Sequence, residues 1–187
     1  MKKILLLFTI LFVSVITTAC INNLAIQELN NKAVSYMDNG DAQSAICRLK
    51  SSLELDNDIY QTHYNLAVAY NSVAQYSEAI EELNTVLKLK PDFFDAYYTM
   101  AVAKEGLAYQ IIEKDVLSGE EDVENLTEEQ IEEFNKKATE AVDAYNLYLV
   151  KKPDAKETEA INFQINELNN KIKELSLTDN SQSNDIE

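Results

Sequence analysis

The feature that most constrains this chain is a repeat of 34 residues. Gly40-Asp41-Ala42-Gln43-Ser44-Ala45-Ile46 recurs in outline as Ala74-Gln75-Tyr76-Ser77-Glu78-Ala79-Ile80, an offset of 34. Tyr36 and Tyr70, Leu49 and Leu83, Leu53 and Leu87, and Leu55 and Leu89 keep the same spacing, and Asn57 falls opposite Pro91. A unit this short cannot bury its own apolar face, so stacked copies must build the core between them. Three Gly and two Pro in 187 residues are too few for a turn-rich β-sandwich or a Gly-rich phosphate loop, whereas 46% apolar residues supply a core. Helices are expected throughout.

On these residues the chain resembles the tetratricopeptide repeat, in which two antiparallel helices, A and B, form each unit. The resemblance covers about residues 26–155 and implies an all-α helical-hairpin solenoid. The small Ala45 and Ala79 would let helix B sit close to helix A, and Tyr36 and Tyr70 would fill the wedge between repeats. Pro91-Asp92 ends a helix B because Pro lacks the donor that would continue it. Three repeats are expected, over 26–59, 60–93 and 94–155.

The third unit breaks the spacing. Tyr97, Met100 and Ala101 match helix A, but the matching start of helix B is Ala141-Val142, and Pro153 follows Pro91 by 62 residues, which leaves an insertion of 28. A loose acidic loop is one reading of the insertion. The residues favour a helical-hairpin arm, because Ala101, Lys104, Ala108, Ile111 and Ile112 prolong a helical stripe. On the return, Thr127-Glu128-Glu129-Gln130 is a capping box, and Ile131, Phe134, Ala138, Ala141 and Tyr145 recur at helical spacing. The arm would project about 20 Å beyond the stack. Its turn, Ser118 to Asn125, carries Glu120, Glu121, Asp122 and Glu124. A last helix over 156–175, with Ile161, Ile165, Leu168, Ile172 and Leu175 on one stripe, is expected to cap the solenoid, a dimerising coiled coil being the alternative. The polar tail 176–187 is expected to be disordered.

The N-terminus has the layout of a secretory signal, with Lys2 and Lys3 before an apolar run from Ile4 to Ile16 and then Thr17-Thr18-Ala19-Cys20. That run falls short of the roughly 20 residues that span a bilayer. Thr-Thr-Ala-Cys resembles a bacterial lipobox, although Thr17 stands where Leu is usual. The resemblance implies a signal peptide over 1–19 and a fatty acyl (palmitate) anchor on Cys20. Residues 20–25 would be a short lipid-anchored lead-in that holds the first repeat close to a bacterial membrane, the outer one in a Gram-negative source. Cys47 then has no partner for an intramolecular disulfide.

Chemistry is sparse. The only histidine, His63, occupies a large aromatic slot near the start of a helix A and reads as a packing residue. One His with one free Cys cannot assemble a zinc site, and a Ser or Cys nucleophile has no neighbouring base. No enzyme, metal or cofactor is expected. With 32 acidic and 16 basic side chains the formal net charge is −16, which disfavours nucleic acid and anionic headgroups and favours a basic partner.

Binding is the better expectation. In this family the groove lined by helix A residues holds an extended peptide or partner helix. By register its lining is Asn30, Val34 and Met37, then Tyr64, Asn65, Val68 and Asn71, then Tyr98, Thr99 and Val102. Co-chaperone members clamp a C-terminal carboxylate with two Asn and several Lys or Arg. Here those positions hold Asn30, Val34, Asn65, Asp95 and Thr99, of which only Asn65 matches. The resemblance implies a membrane-tethered scaffold of the cell envelope that docks a protein. Relatives of this design assist outer-membrane protein insertion, pilus secretin assembly or cell-wall enzyme recruitment. The alternative is an oligomeric ligand-delivery subunit of an envelope transporter, handling a small hydrophobic molecule.

Overall fold

The computed structural model describes residues 22–116 and 126–184, with side chains over 22–113 and 126–177. Residues 1–21, with the expected signal peptide and Cys20, lie outside the described residues, as does the expected turn from Ser118 to Asn125. Seven helices and no strand occur among the described residues. They are α1 (22–38), α2 (Ala42–Leu55), α3 (Tyr60–Ser72), α4 (Tyr76–Leu89), α5 (Asp95–Val116), α6 (Glu128–Lys151) and α7 (Thr158–Asn184). None of the described helices is long and apolar enough to cross a membrane.

The period reappears as geometry in the two A–B turns. Gly40 and Ala74, 34 residues apart, both adopt left-handed backbone, with φ of 76° and 58°. In each turn the Tyr carbonyl five residues earlier accepts from the next amide: Asp41 N reaches Tyr36 O at 2.8 Å and Gln75 N reaches Tyr70 O at 3.0 Å. The left-handed residue satisfies orphan carbonyls at the end of a helix and turns the chain into the next one. Asp41 then caps α2, its carboxylate accepting from Ser44 N at 3.0 Å, and the Ser44 side chain together with this backbone bond holds its pKa below the ordinary value.

Two apolar clusters form the interior. The first gathers Ala45, Ile46 and Leu49 of α2, Leu66, Ala67 and Tyr70 of α3, Ala79, Leu83 and Val86 of α4, and Ala96, Met100 and Ala103 of α5. Ala45 and Ala79 are fully buried, as close A–B packing requires. The second cluster takes Ala101 and Ala108 from α5, Phe134, Ala138 and Tyr145 from α6, and Ile161, Leu168 and Leu175 from α7. Helix α5 thus serves both.

The third pair is longer, 22 and 24 residues against 13 and 14 for α3 and α4. Thr127 and Gln130 form the capping box at the start of α6. Tyr109 meets Phe134 edge-on at 5.8 Å, so the two long helices are zipped together well beyond the stack. A Cβ on Gly106 would overlap the ring of Tyr76, so this glycine admits α4 against α5.

Two boundaries and the setting of the arm differ from the sequence reading. Helix α1 is already formed at residue 22, inside the expected lead-in. Helix α7 continues to Asn184, through most of the tail expected to lack structure. No Gly or Pro follows Pro153 to stop it; Leu175 is buried, and Ser176 Oγ donates to Ile172 O at 2.7 Å. The arm is therefore not a bare two-helix projection. Phe134 and Ala138 need cover, and α7 supplies it, with Asn135 Nδ2 donating to Ser176 Oγ at 3.3 Å.

Candidate functional site

Successive A helices α1, α3, α5 and α7 are tied to one another by side chains, and the predicted groove residues make most of those ties. Asn30 Nδ2 reaches Ser52 Oγ at 2.9 Å and Thr62 Oγ1 at 3.0 Å, and its Oδ1 accepts from Asn65 Nδ2 at 3.4 Å. Ser52 and Thr62 are fully buried. A buried hydroxyl without a partner is costly, about 1–3 kcal/mol. Asn30 and Asn65 therefore serve the junction of α1, α2 and α3, rather than standing free for a ligand.

A second tie joins α3 to α5. The hydroxyls of Thr99 and Tyr64 lie 3.2 Å apart, and Asn71 Nδ2 donates to Thr99 O at 3.3 Å. Thr99 is only 7% exposed. Tyr64 packs edge-on to Phe93 at 4.9 Å. Met37 packs against the first cluster and Val102 against the second, while Val68 is half-buried. Val34, 47% exposed, and Tyr98, 37% exposed, are the predicted residues that offer apolar surface. Asp95 is engaged by Lys152 Nζ at 2.8 Å across the α5–α6 junction.

Tyr98 and Val102 open onto a cavity of about 350 Å³ that the sequence did not announce. Glu105 of α5, Tyr145 of α6, and Ala160, Ile161 and Gln164 of α7 complete its lining. Tyr98 sits 6.0 Å from the Tyr145 ring and 5.5 Å from Tyr148, centroid to centroid. Glu105 accepts from Tyr145 OH at 2.6 Å and from Gln164 Nε2 at 2.9 Å. Burial raises its carboxyl pKa, and the two hydrogen bonds pull the other way. Burial and the neighbouring Glu105 push the Tyr145 phenol up as well. The one available sequence signal was spacing: residues 98, 102 and 105 follow one another by four and three on a single helical face.

A wider groove of about 590 Å³ runs between α4 and α6 over α5. Ile80, Leu87, Met100 and Leu147 give it an apolar floor, while Lys104 and Lys137 pair with Glu140 at 3.4 and 3.8 Å on its wall. His63 is buried with both ring nitrogens held, by Glu82 Oε2 at 2.5 Å and Asn57 O at 2.8 Å. Cys47 is exposed on α2. Among the described residues no group of three or more His, Cys, Asp or Glu is placed to hold a metal.

Residues 36–105 match the family profile described as "Tetratricopeptide repeat". No curated protein sequence matches the chain. Among solved structures, the chain is similar to the second TPR domain of human RPAP3 in complex with the HSP70 peptide SGPTIEEVD, at 14% identity and a TM-score of 0.58, covering 79% of this chain and 98% of that one. The Arabidopsis OM64 TPR domain gives 14% identity and 0.59, over 78% and 98%. The TPR2B domain of yeast Sti1 in complex with pHsp70 gives 13% and 0.59, over 79% and 98%. The chain is an all-α helical solenoid of the tetratricopeptide-repeat fold, with the repeat itself matched over residues 36–105.

Proposed function

We propose that the protein is a non-enzymatic scaffold that docks an extended segment of a partner protein along the A-helix face, and that a lipid on Cys20 tethers it to a membrane of the bacterial cell envelope. The observation that carries the docking part is the ordered row formed by α1, α3, α5 and α7. Hydrogen bonds between side chains fix its spacing, yet Val34 and Tyr98 remain exposed on it. A rigid row with apolar anchors presents binding surface without an ordering cost at the moment of association. Solved structures of the same fold that carry bound peptides support this reading. The partner is expected to be basic, given a net charge of −16. The tether rests on Thr17-Thr18-Ala19-Cys20 and the apolar run before it.

Photo-crosslinking in the native cell tests the docking, with the probe placed at Tyr98 in one strain and at Val34 in another. A single discrete protein captured at both positions is the expected result, and capture at neither would remove the docking reading. Metabolic labelling with a fatty acid tests the tether. Label should enter the wild type and not Cys20→Ser, and label persisting in the variant would refute the anchor.

A further inference from the structure

The charged side chains of this molecule are mostly paired where they are partly shielded from water. Asp95 has Lys152, Glu140 has Lys104, and Glu82 has His63. Glu105 differs: Tyr145 OH and Gln164 Nε2, both neutral, hold its two oxygens, and among the described residues no Lys, Arg or His lies within ion-pair distance. A carboxylate offers about four lone-pair positions, so the two bonds leave room for further donors. Beside it lies the 350 Å³ cavity.

We propose that this cavity receives a lysine or arginine side chain of the docked peptide, with Glu105 binding the cation. The proposal rests on the peptide-docking reading and adds the chemistry of one subsite. Val102, Ala160 and Ile161 supply the apolar wall that a methylene stem needs, and the exposed Tyr98 ring supplies a face for the cation. An acidic side chain would meet Glu105 with like charge. A purely apolar one would strip water from the carboxylate and return nothing. The raised carboxyl pKa is the sign of a charge short of compensation, and a bound cation would bring it down.

The test is selection from a random nonapeptide library displayed on phage, against the full chain held in mild detergent. Glu105→Gln is the matched variant. Its amide accepts from Tyr145 and, with Gln164 turned over, keeps the second hydrogen bond, so the pocket stays closed. Wild-type selectants should share a Lys or Arg at one fixed position, and the variant should lose that preference while keeping the rest of the pattern. A synthetic selectant should bind about tenfold more tightly than its norleucine or citrulline analogue, with the Lys and Arg forms compared side by side. Tyr98→Leu, which leaves Glu105 untouched, should weaken the basic form more than the neutral one. Selectants with no basic preference, or with a preference that survives Glu105→Gln, would overturn the subsite and leave the docking reading standing. A library that yields no selectant would overturn both.

Discussion

The first two repeats and the long third pair solve the same packing problem with different means. In the repeats, α2, α3 and α4 are 13 or 14 residues long and close on small residues such as Ala45, Ala67 and Ala79. Their polar interior joins Asn30 with Ser52, Thr62 and Asn65 and holds the Glu82 carboxylate against His63. In the third pair, α5 and α6 outrun that design and aromatic side chains fill the gap, with Tyr98, Tyr145 and Tyr148 at one level and Tyr109 with Phe134 at another. There the polar interior includes a carboxylate, Glu105. The regular repeats set their shielded carboxylate against a histidine, whereas the departure from the period leaves Glu105 with neutral donors, and the cavity lies at that departure.

The comparison can be broken most forcefully at Phe134. Phe134→Ala removes a fully buried ring from the second cluster and should cost about 3–5 kcal/mol in chemical denaturation. Hydrogen exchange should then rise in α6 and α7 well above α2 and α3. Equal acceleration in both regions would mean that they are not distinct. Next comes the joint between them. Gly106→Ala should cost about 1–3 kcal/mol through overlap with Tyr76. In a Tyr76→Ala background the same change should be neutral or mildly stabilising, since Ala favours helix over Gly.

The turns sharpen the comparison within the repeats. Gly40→Ala should destabilise by about 1 kcal/mol because its φ of 76° is strained for any residue with a Cβ. Ala74→Gly should stabilise by about 0.5 kcal/mol, its relief of strain partly offset by the freer unfolded chain. Opposite signs at equivalent positions would confirm the shared turn.

The smallest effect is the pH response of Glu105→Gln. The native state holds the Glu105 proton more tightly than the unfolded chain does, because its folded pKa is raised. That contribution is fully present below the ordinary carboxylate pKa and is lost as pH rises through the raised folded value. The melting temperature of Glu105→Gln relative to wild type should therefore climb as pH rises above the ordinary carboxylate pKa. A flat difference would mean that burial does not strain this carboxylate.

Much of this architecture is legible in the sequence because it is local. The period, the alanines and the Thr127 capping box act within a turn or one hairpin. The site is less legible because it is assembled across distance. Register correctly puts Asn30, Asn65 and Thr99 on A helices, but what they meet lies 22 to 35 residues away, and the structure engages them with the stack itself. Glu105 and Gln164, 59 residues apart, carry no mutual signal in the chain. The tail shows the opposite error, since a polar composition suggested disorder where α7, with no Gly or Pro to stop it, runs on past the buried Leu175 to Asn184.

Helix α5 contributes Met100 and Ala103 to one cluster and Ala101 and Ala108 to the other. Repeat solenoids ordinarily accumulate stability unit by unit. Here the first cluster lacks a wall until the chain has grown past Ala103, and that wall is also the foundation of the second. A nascent chain carrying both complete repeats is therefore still open on one side during synthesis. Truncation ahead of Ala103 should therefore leave no closed core, whereas truncation later in α5 should leave the first cluster closed and the second without its partner helices.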